Sequence, residues 1–141
     1  MNLDMVGPAL ALGFGCIGSS IGCGIAGMAL HGVLSRIEEG HAKLIGMSAM
    51  PSSQAIYGFV LMLLMSQSIK AHNISSWEGI GIAIPVGLAI LFSSVYQGMS
   101  AATGMQASAK QPGVYGKCFL ALGIIESFAL FAFVFALLLI R

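Results

Sequence analysis

Residues 118–140 read CFLALGIIESFALFAFVFALLLI, a run of 23 residues with a single ionisable side chain, Glu126. An apolar run of this length predicts a transmembrane helix. Glu126 then lies near the middle of the bilayer, where a charged side chain costs about 2.5–3.5 kcal/mol to insert. The acid must therefore either take up a proton or be neutralised by a cation that visits it.

The composition of the whole chain also indicates a membrane protein. Of its 141 residues 57% are hydrophobic and 8% are charged, whereas soluble domains carry about 25% charged residues. We predict one membrane domain over residues 1–141, with no room for a soluble catalytic domain. The chain is therefore expected not to be an enzyme by itself, so that any nucleotide chemistry belongs to partners. The net charge of +1 argues against a nucleic-acid ligand.

Hydropathy predicts three further transmembrane helices, over residues 5–31, 44–69 and 79–106, which polar links join to one another and to the last helix. The basic residues divide four to two between the two ends of these helices. The positive-inside rule places the first and third links in the cytoplasm and both termini outside. The four residues that flank those links are Arg36, Lys43, Lys110 and Lys117, and the other two are Lys70 and Arg141.

The first predicted helix is rich in small residues, which in a membrane allow two helices to approach closely. Gly18 and Gly22 form a small-xxx-small pair and are predicted to pack against another helix. The three cysteines show no CxxC spacing and no neighbouring histidine, so we predict small buried side chains rather than a metal or disulfide site.

The chain matches itself when it is shifted by 74 residues. Residues 19–24, SSIGCG, fall on residues 93–98, SSVYQG, and no gap is needed up to residue 66. We therefore predict two fused, duplicated helical hairpins of one orientation, over residues 1–69 and 70–141. Repeats of this kind are expected to stack into a ring around an axis along the membrane normal.

The duplication fails at the polar positions. Glu126 falls on Ser52, and Gln97 falls on Cys23. The first hairpin therefore has no intramembrane acid, and we predict one set of polar residues for each chain rather than two.

Polar side chains in three of the predicted helices lie at the same depth. Ser53 and Gln54, Gln97, and Glu126 each lie nine or ten residues from the cytoplasmic end of their helix, which corresponds to about 14–15 Å at 1.5 Å per residue. Antiparallel helices bring them to one level. Oxygen ligands with one negative charge, and without a soft ligand, predict a site for a hard monovalent cation.

Pro51 and Tyr57 add to this set. Pro51 has no N–H to bond the carbonyl of Met47, and a kink there loosens neighbouring carbonyls. Tyr57 lies one turn beyond Ser53, within reach of a carboxylate.

Each polar residue also has a purely structural explanation. A serine such as Ser52 usually bonds its own backbone, and a glutamine often only joins two helices. An intramembrane glutamate, in contrast, is functional by default.

These residues occur in four short motifs: Met50-Pro51-Ser52-Ser53-Gln54, Tyr57-Gly58-Phe59, Tyr96-Gln97-Gly98 and Ile125-Glu126-Ser127. With them the chain resembles, over essentially its whole length, the proteolipid (K or c) subunit of V-type and archaeal-type rotary ATPases, and more narrowly the four-helix, sodium-binding kind. The resemblance implies that Tyr57 bonds the carboxylate. The ion ligands that it implies are the carboxylate of Glu126, the side chains of Gln54 and Gln97, the hydroxyl of Ser53 and the backbone carbonyl of Met50.

The resemblance also implies partners and a mechanism. Identical subunits form a ring in lipid that rotates against a stator subunit with an arginine, and a central-stalk subunit rests on the cytoplasmic links. Rotation couples transport of Na⁺ or H⁺ through Glu126 to ATP hydrolysis or synthesis, in the cytoplasmic membrane of a prokaryote. No cofactor is expected besides the transported ion. Sodium is favoured over the proton because sodium must exchange its hydration shell for several protein oxygens.

Two other classes of protein remain open. Small multidrug antiporters also have four helices and one membrane carboxylate, but they resemble single, unduplicated units with the acid in the first helix. A structural ring protein that moves no ion would not need Gln54, Gln97 and Glu126 at one depth. The size of the assembly in mild detergent separates a ring from a transporter dimer.

Overall fold

Helices account for nearly all of residues 3–141, which the computed structural model describes. Two short 3-10 turns interrupt them, and no strand occurs within the described part. The turn Met50–Ser52 joins α2 and α3 into one continuous span, so that four segments are long and apolar enough to cross a membrane. The predicted all-α, four-helix architecture is confirmed. The α-helices are α1 (Val6–Leu34), α2 (His41–Ala49), α3 (Ser53–Lys70), α4 (Ser76–Lys110) and α5 (Tyr115–Leu139).

Most of the spans extend beyond the apolar runs from which they were predicted. The start of α4 shows the reason, because the link was expected to continue through Glu78 but the helix begins at Ser76. Ser75 caps it: its hydroxyl accepts from the Glu78 N–H at 3.3 Å, and the Glu78 carboxylate accepts from the Ser75 N–H at 2.7 Å. This capping box satisfies the backbone N–H groups of Ser75 and Glu78. Both residues lie in a polar segment, so an apolar hydropathy pattern does not include them in the helix.

The centre of the fold is the contact between α1 and α4, with α3 packed on α1 and α5 packed on α4. Glycines bring α1 and α4 into backbone contact. A Cβ added to Gly18 would lie 2.7 Å from the Leu91 Cα, and one added to Gly22 would meet the backbone of Ser94. Gly18 and Gly22 therefore pack against another helix, and that helix belongs to the same chain.

The first and third links lie at one end of the bundle, as the pattern of basic residues predicts. At one end the Lys43 ammonium lies 5.6 Å from the centre of the Tyr115 ring, so the first and third links are neighbours. At the other end the Ser76 hydroxyl donates to the Asp4 carboxylate at 2.6 Å. Which end faces the cytoplasm stays a prediction.

The core consists of two apolar clusters with a polar layer between them. One cluster includes Leu61 and Met65 near the end of the bundle that holds Ile140, and the other includes Met47 and Met105 near the basic links. Buried serines and glutamines lie between the two clusters: Ser19, Gln54, Ser93, Ser94 and Gln97.

All three cysteines are free, and none is buried, contrary to the prediction: Cys16 is exposed, and Cys23 and Cys118 are half-buried. Large apolar side chains cover the outer face of α5, and examples are Leu120, Phe128 and Phe135. Such faces need lipid or another protein against them.

Candidate functional site

The candidate site begins at the break between α2 and α3. Because Pro51 has no N–H, the carbonyl of Met47 instead accepts from the N–H of Met50, and residues Met50–Ser52 form a 3-10 turn. The turn lies in the middle of the second span. The helix α3 begins directly after the turn, at Ser53.

Two buried serines from the central helices hold this turn in place. The Ser94 hydroxyl of α4 donates to the Pro51 carbonyl at 2.8 Å, and the Ser19 hydroxyl of α1 accepts from the Ala55 N–H at 2.9 Å. Sequence reasoning did not assign these roles. The signal was present, because the duplication aligns Ser19 and Ser20 with Ser93 and Ser94.

Glu126 of α5 receives hydrogen bonds from three side chains of two other helices. One carboxylate oxygen, Oε1, accepts from the Ser53 hydroxyl at 2.6 Å and from the Tyr57 hydroxyl at 2.8 Å. The other, Oε2, accepts from the Gln97 amide at 3.4 Å. All three partners are neutral, so they orient the half-buried carboxylate without cancelling its charge.

The two glutamines are fully buried and bonded to each other. The Gln54 amide nitrogen donates to the Gln97 amide oxygen at 2.9 Å, and the Gln97 nitrogen also donates to the Leu122 carbonyl at 3.1 Å. This chain of bonds joins α3, α4 and α5 behind the carboxylate. Buried hydrogen bonds between helices restrict how those helices pack.

The Ser53 hydroxyl is surrounded by more hydrogen-bond acceptor oxygens than it has protons to donate. Its hydroxyl lies 2.6 Å from a Glu126 oxygen, 3.2 Å from the Gln54 amide oxygen and 3.2 Å from the Met50 carbonyl. A serine hydroxyl has one proton to donate, and the Glu126 oxygen is nearest to it. The other oxygens therefore share an electron-rich centre that could hold a small cation.

The structure thus brings together the carboxylate, the hydroxyls, the two amides and the carbonyl that were predicted from the sequence to form the site. Ser52, the counterpart of Glu126, lies apart and donates to its own helix at Ala49. Gly18 and Gly22 lie outside the site, in the contact of α1 with α4. Within residues 3–141 no three His, Cys, Asp or Glu side chains cluster as metal ligands. Ion binding at this set stays a prediction.

Comparisons with known proteins give the same picture of a repeated unit. The ATP synthase C subunit family matches twice, over residues 6–65 and 80–139. The A-type ATP synthase K subunit of Methanocaldococcus jannaschii is 32% identical over 138 residues, which cover 98% of this chain and 61% of that protein. This chain therefore spans less than two thirds of the archaeal relative's length.

Two further relatives match over most of both chains. The V-type sodium ATPase K subunit of Enterococcus hirae is 30% identical over 143 residues, covering 99% of this chain and 91% of that protein. The V-type proton ATPase subunit c of Candida tropicalis is 28% identical over 136 residues, covering 95% of this chain and 85% of that protein. The two family matches fit the duplicated hairpins, and the chain belongs to the ATP synthase C subunit family.

Proposed function

We propose that the chain is the ion-carrying rotor subunit of a V/A-type rotary ATPase and transports one ion for each chain at Glu126. The observation that carries the proposal is a single mid-span carboxylate, half-buried and hydrogen-bonded only by neutral donors. Its negative charge is left for a mobile cation to neutralise. Relatives whose names include ATP synthase and V-type ATPase support the same assignment.

Neutralisation explains how the site would drive rotation. A charged carboxylate at the bilayer centre costs about 2.5–3.5 kcal/mol or more, whereas an ion-loaded one faces lipid at far lower cost. An ion enters at the contact between ring and stator, travels with the turning ring and leaves on the other side. The chain's own arginines, Arg36 and Arg141, lie exposed outside the helices. An arginine that displaces the ion must therefore come from the stator.

We propose sodium as the ion. The oxygens around Ser53 come from a carboxylate, an amide, a hydroxyl and a carbonyl. These oxygens would hold a sodium ion, and the Ser53 hydroxyl would keep its proton but turn it away from the ion. Gln97 turns its amide nitrogen towards Glu126 and its oxygen towards Gln54. Only one of the two glutamines can turn its oxygen towards the ion while the bond between them is kept, so Gln97 would replace Gln54 as the oxygen ligand if both amide groups rotated by half a turn.

Carbodiimide labelling of Glu126 in the purified ring tests both the site and the ion, because the reagent attacks protonated carboxyl groups in a membrane. We expect sodium to protect Glu126, and the sodium concentration for half-protection to rise as the pH falls, since protons and sodium compete for the same oxygens. Labelling that follows pH alone and ignores high sodium would identify a proton site.

Single substitutions sharpen this experiment. Ser53→Ala and Gln54→Ala should each shift half-protection to higher sodium because each removes one oxygen ligand. Ser52→Ala is the matched control: its hydroxyl is one residue away, is exposed and bonds only the Ala49 carbonyl. Ser52→Ala should leave the protection curve unchanged.

Ser52→Glu tests why the chain has one site and not two. The substitution restores an acid at the duplicated position, but we expect no second ion, because the counterpart of Gln97 there is Cys23, a poor ligand for a hard cation. Sodium bound per chain of the purified ring should stay at the wild-type value. A doubled value would contradict this account.

A further inference from the structure

Two consecutive serines of α4, Ser93 and Ser94, bond the backbone on both sides of the candidate site. The Ser94 hydroxyl donates to the Pro51 carbonyl at 2.8 Å, and the Ser93 hydroxyl donates to the Ile125 carbonyl at 2.9 Å. Consecutive residues of an α-helix point about 100° apart, so this serine pair can reach two neighbours at one level. The two carbonyls are counterparts in the duplication, because Pro51 falls on Ile125 when the chain is shifted by 74 residues.

We propose that the serine pair fixes the distance between the two walls of the ion site, and that this distance determines which cation the site selects by size. The first wall is residues 50–54, and the second wall is residues 125 and 126 of α5. The inference rests on the proposed function, in which the site holds sodium. It deepens that proposal by naming two positioning residues that act on ion specificity without touching the ion.

Both serines bond across to other helices rather than within their own. Exposed hydroxyls such as those of Ser52 and Ser127 donate to a carbonyl of their own span, which is a common bond of serine in membrane helices. Ser93 and Ser94 are 7% and 0% exposed, and they donate instead to α5 and to the 3-10 turn. A hydroxyl has one proton to donate, so each serine holds one wall.

The bonds of the serine pair do not depend on whether the site is loaded. They end on backbone carbonyls that are not among the proposed ligands, whereas the bonds of Ser53 and Tyr57 end on the Glu126 side chain, which can rotate. In the proposed sodium site the Ser53 hydroxyl turns its proton away from the ion and no longer donates it to Glu126. The serine pair therefore links the two walls both before and after the ion enters.

Walls at a fixed distance discriminate between cations by size, because selectivity depends on cavity size, ligand number and flexibility. The first wall has no room to move towards α1. A Cβ added to Gly22 would lie 2.8 Å from the Pro51 side chain, and one added to Gly15 would lie 2.8 Å from the Gln54 carbonyl oxygen. Without the serine pair we expect the two walls to approach each other, and a narrower site favours lithium, which is smaller than sodium.

Carbodiimide labelling of Glu126 in the purified ring measures this selectivity when sodium and lithium are compared as protecting ions. The measured quantity is the lithium concentration for half-protection divided by the sodium concentration for half-protection. Ser93→Ala and Ser94→Ala should each lower this ratio by about two- to tenfold, which corresponds to the net contribution of one hydrogen bond. A serine that only stabilised the fold would change both concentrations together and leave the ratio unchanged.

Ser108→Ala is the matched control. Ser108 is also a buried serine of α4, 5% exposed, but its hydroxyl has no hydrogen-bond partner within the described residues. The Ser108 variant should keep the wild-type ratio. Ser93→Thr retains the hydroxyl and should keep the ratio near the wild-type value, in contrast to Ser93→Ala. Ring size in mild detergent is measured first, and Ser93→Ala decides the result where the fully buried Ser94→Ala gives no ring.

The outcomes separate this inference from the proposed function. An unchanged or increased ratio in intact rings of the alanine variants overturns the role of the serine pair and leaves the sodium site in place. Loss of the ring in both alanine variants also overturns that role, because the serines would then be needed for the fold and not for the choice of ion. If neither sodium nor lithium protects the wild-type ring, the sodium site itself is wrong and the inference is wrong with it.

Discussion

Glu126→Gln is expected to abolish ion-coupled turnover while the ring still assembles. Glutamine has nearly the shape of glutamate, and its amide oxygen can still accept the bonds from Ser53 and Tyr57 that Glu126 receives at 2.6 and 2.8 Å. The helices should therefore stay in place. What disappears is the negative charge that a cation neutralises, and a neutral amide costs less to bury than a carboxylate. ATP-driven sodium uptake into vesicles that contain the whole complex measures the effect.

Two control variants separate charge from shape. Glu126→Asp keeps the charge but withdraws the carboxylate by one carbon–carbon bond, so we expect partial transport that needs more sodium. Glu78→Gln removes a fully exposed acid at the start of α4 and should transport like the wild type. Substantial uptake by Glu126→Gln would rule out Glu126 as the carrier, and absence of the assembled ring would show that the carboxylate is also structural.

The sequence predicted the four spans and their polar residues well because both depend on composition along single helices. A helix that crosses a bilayer is apolar at nearly every turn. A polar residue within it is therefore easy to recognise in the sequence. The ends of the helices were less accurate, as α4 shows. Hydrogen bonds such as the capping box of Ser75 and Glu78 form outside the apolar run, and hydropathy does not detect them.

The contacts between helices were harder to predict. Equal depth placed Ser53, Gln97 and Glu126 at one level, but depth does not reveal that Gln97 turns its nitrogen towards the carboxylate. Likewise Gly18 and Gly22 could be recognised as packing residues, while their partner could not be identified. In a ring built from two similar hairpins, the same small-residue face fits the other hairpin of its own chain or the hairpin of a neighbour.

Gly22 packs against α4 of its own chain. Gly22→Leu is therefore expected to disrupt the folded chain and not only its assembly. The added side chain would meet the Ser94 backbone and lie 2.8 Å from the Pro51 side chain. Overpacking usually costs about 1–3 kcal/mol where neighbouring side chains can shift, and a backbone segment held by the bond from Ser94 to Pro51 has less freedom to move. We therefore expect Gly22→Leu to lower the free energy of unfolding by more than the usual cost of overpacking.

Thermal unfolding of the single chain in mild detergent measures this loss, with tryptic digestion as a second probe of the α1–α4 contact. Gly18→Leu should behave similarly, because its Cβ would lie 2.7 Å from the Leu91 Cα. Gly81→Leu on α4 is the matched control, since the position is exposed and open space surrounds it. The Gly81 variant should melt like the wild type. If Gly22→Leu melts normally but fails to form the ring, then Gly22 contacts a neighbouring copy, and α1 and α4 of one chain are not packed together there.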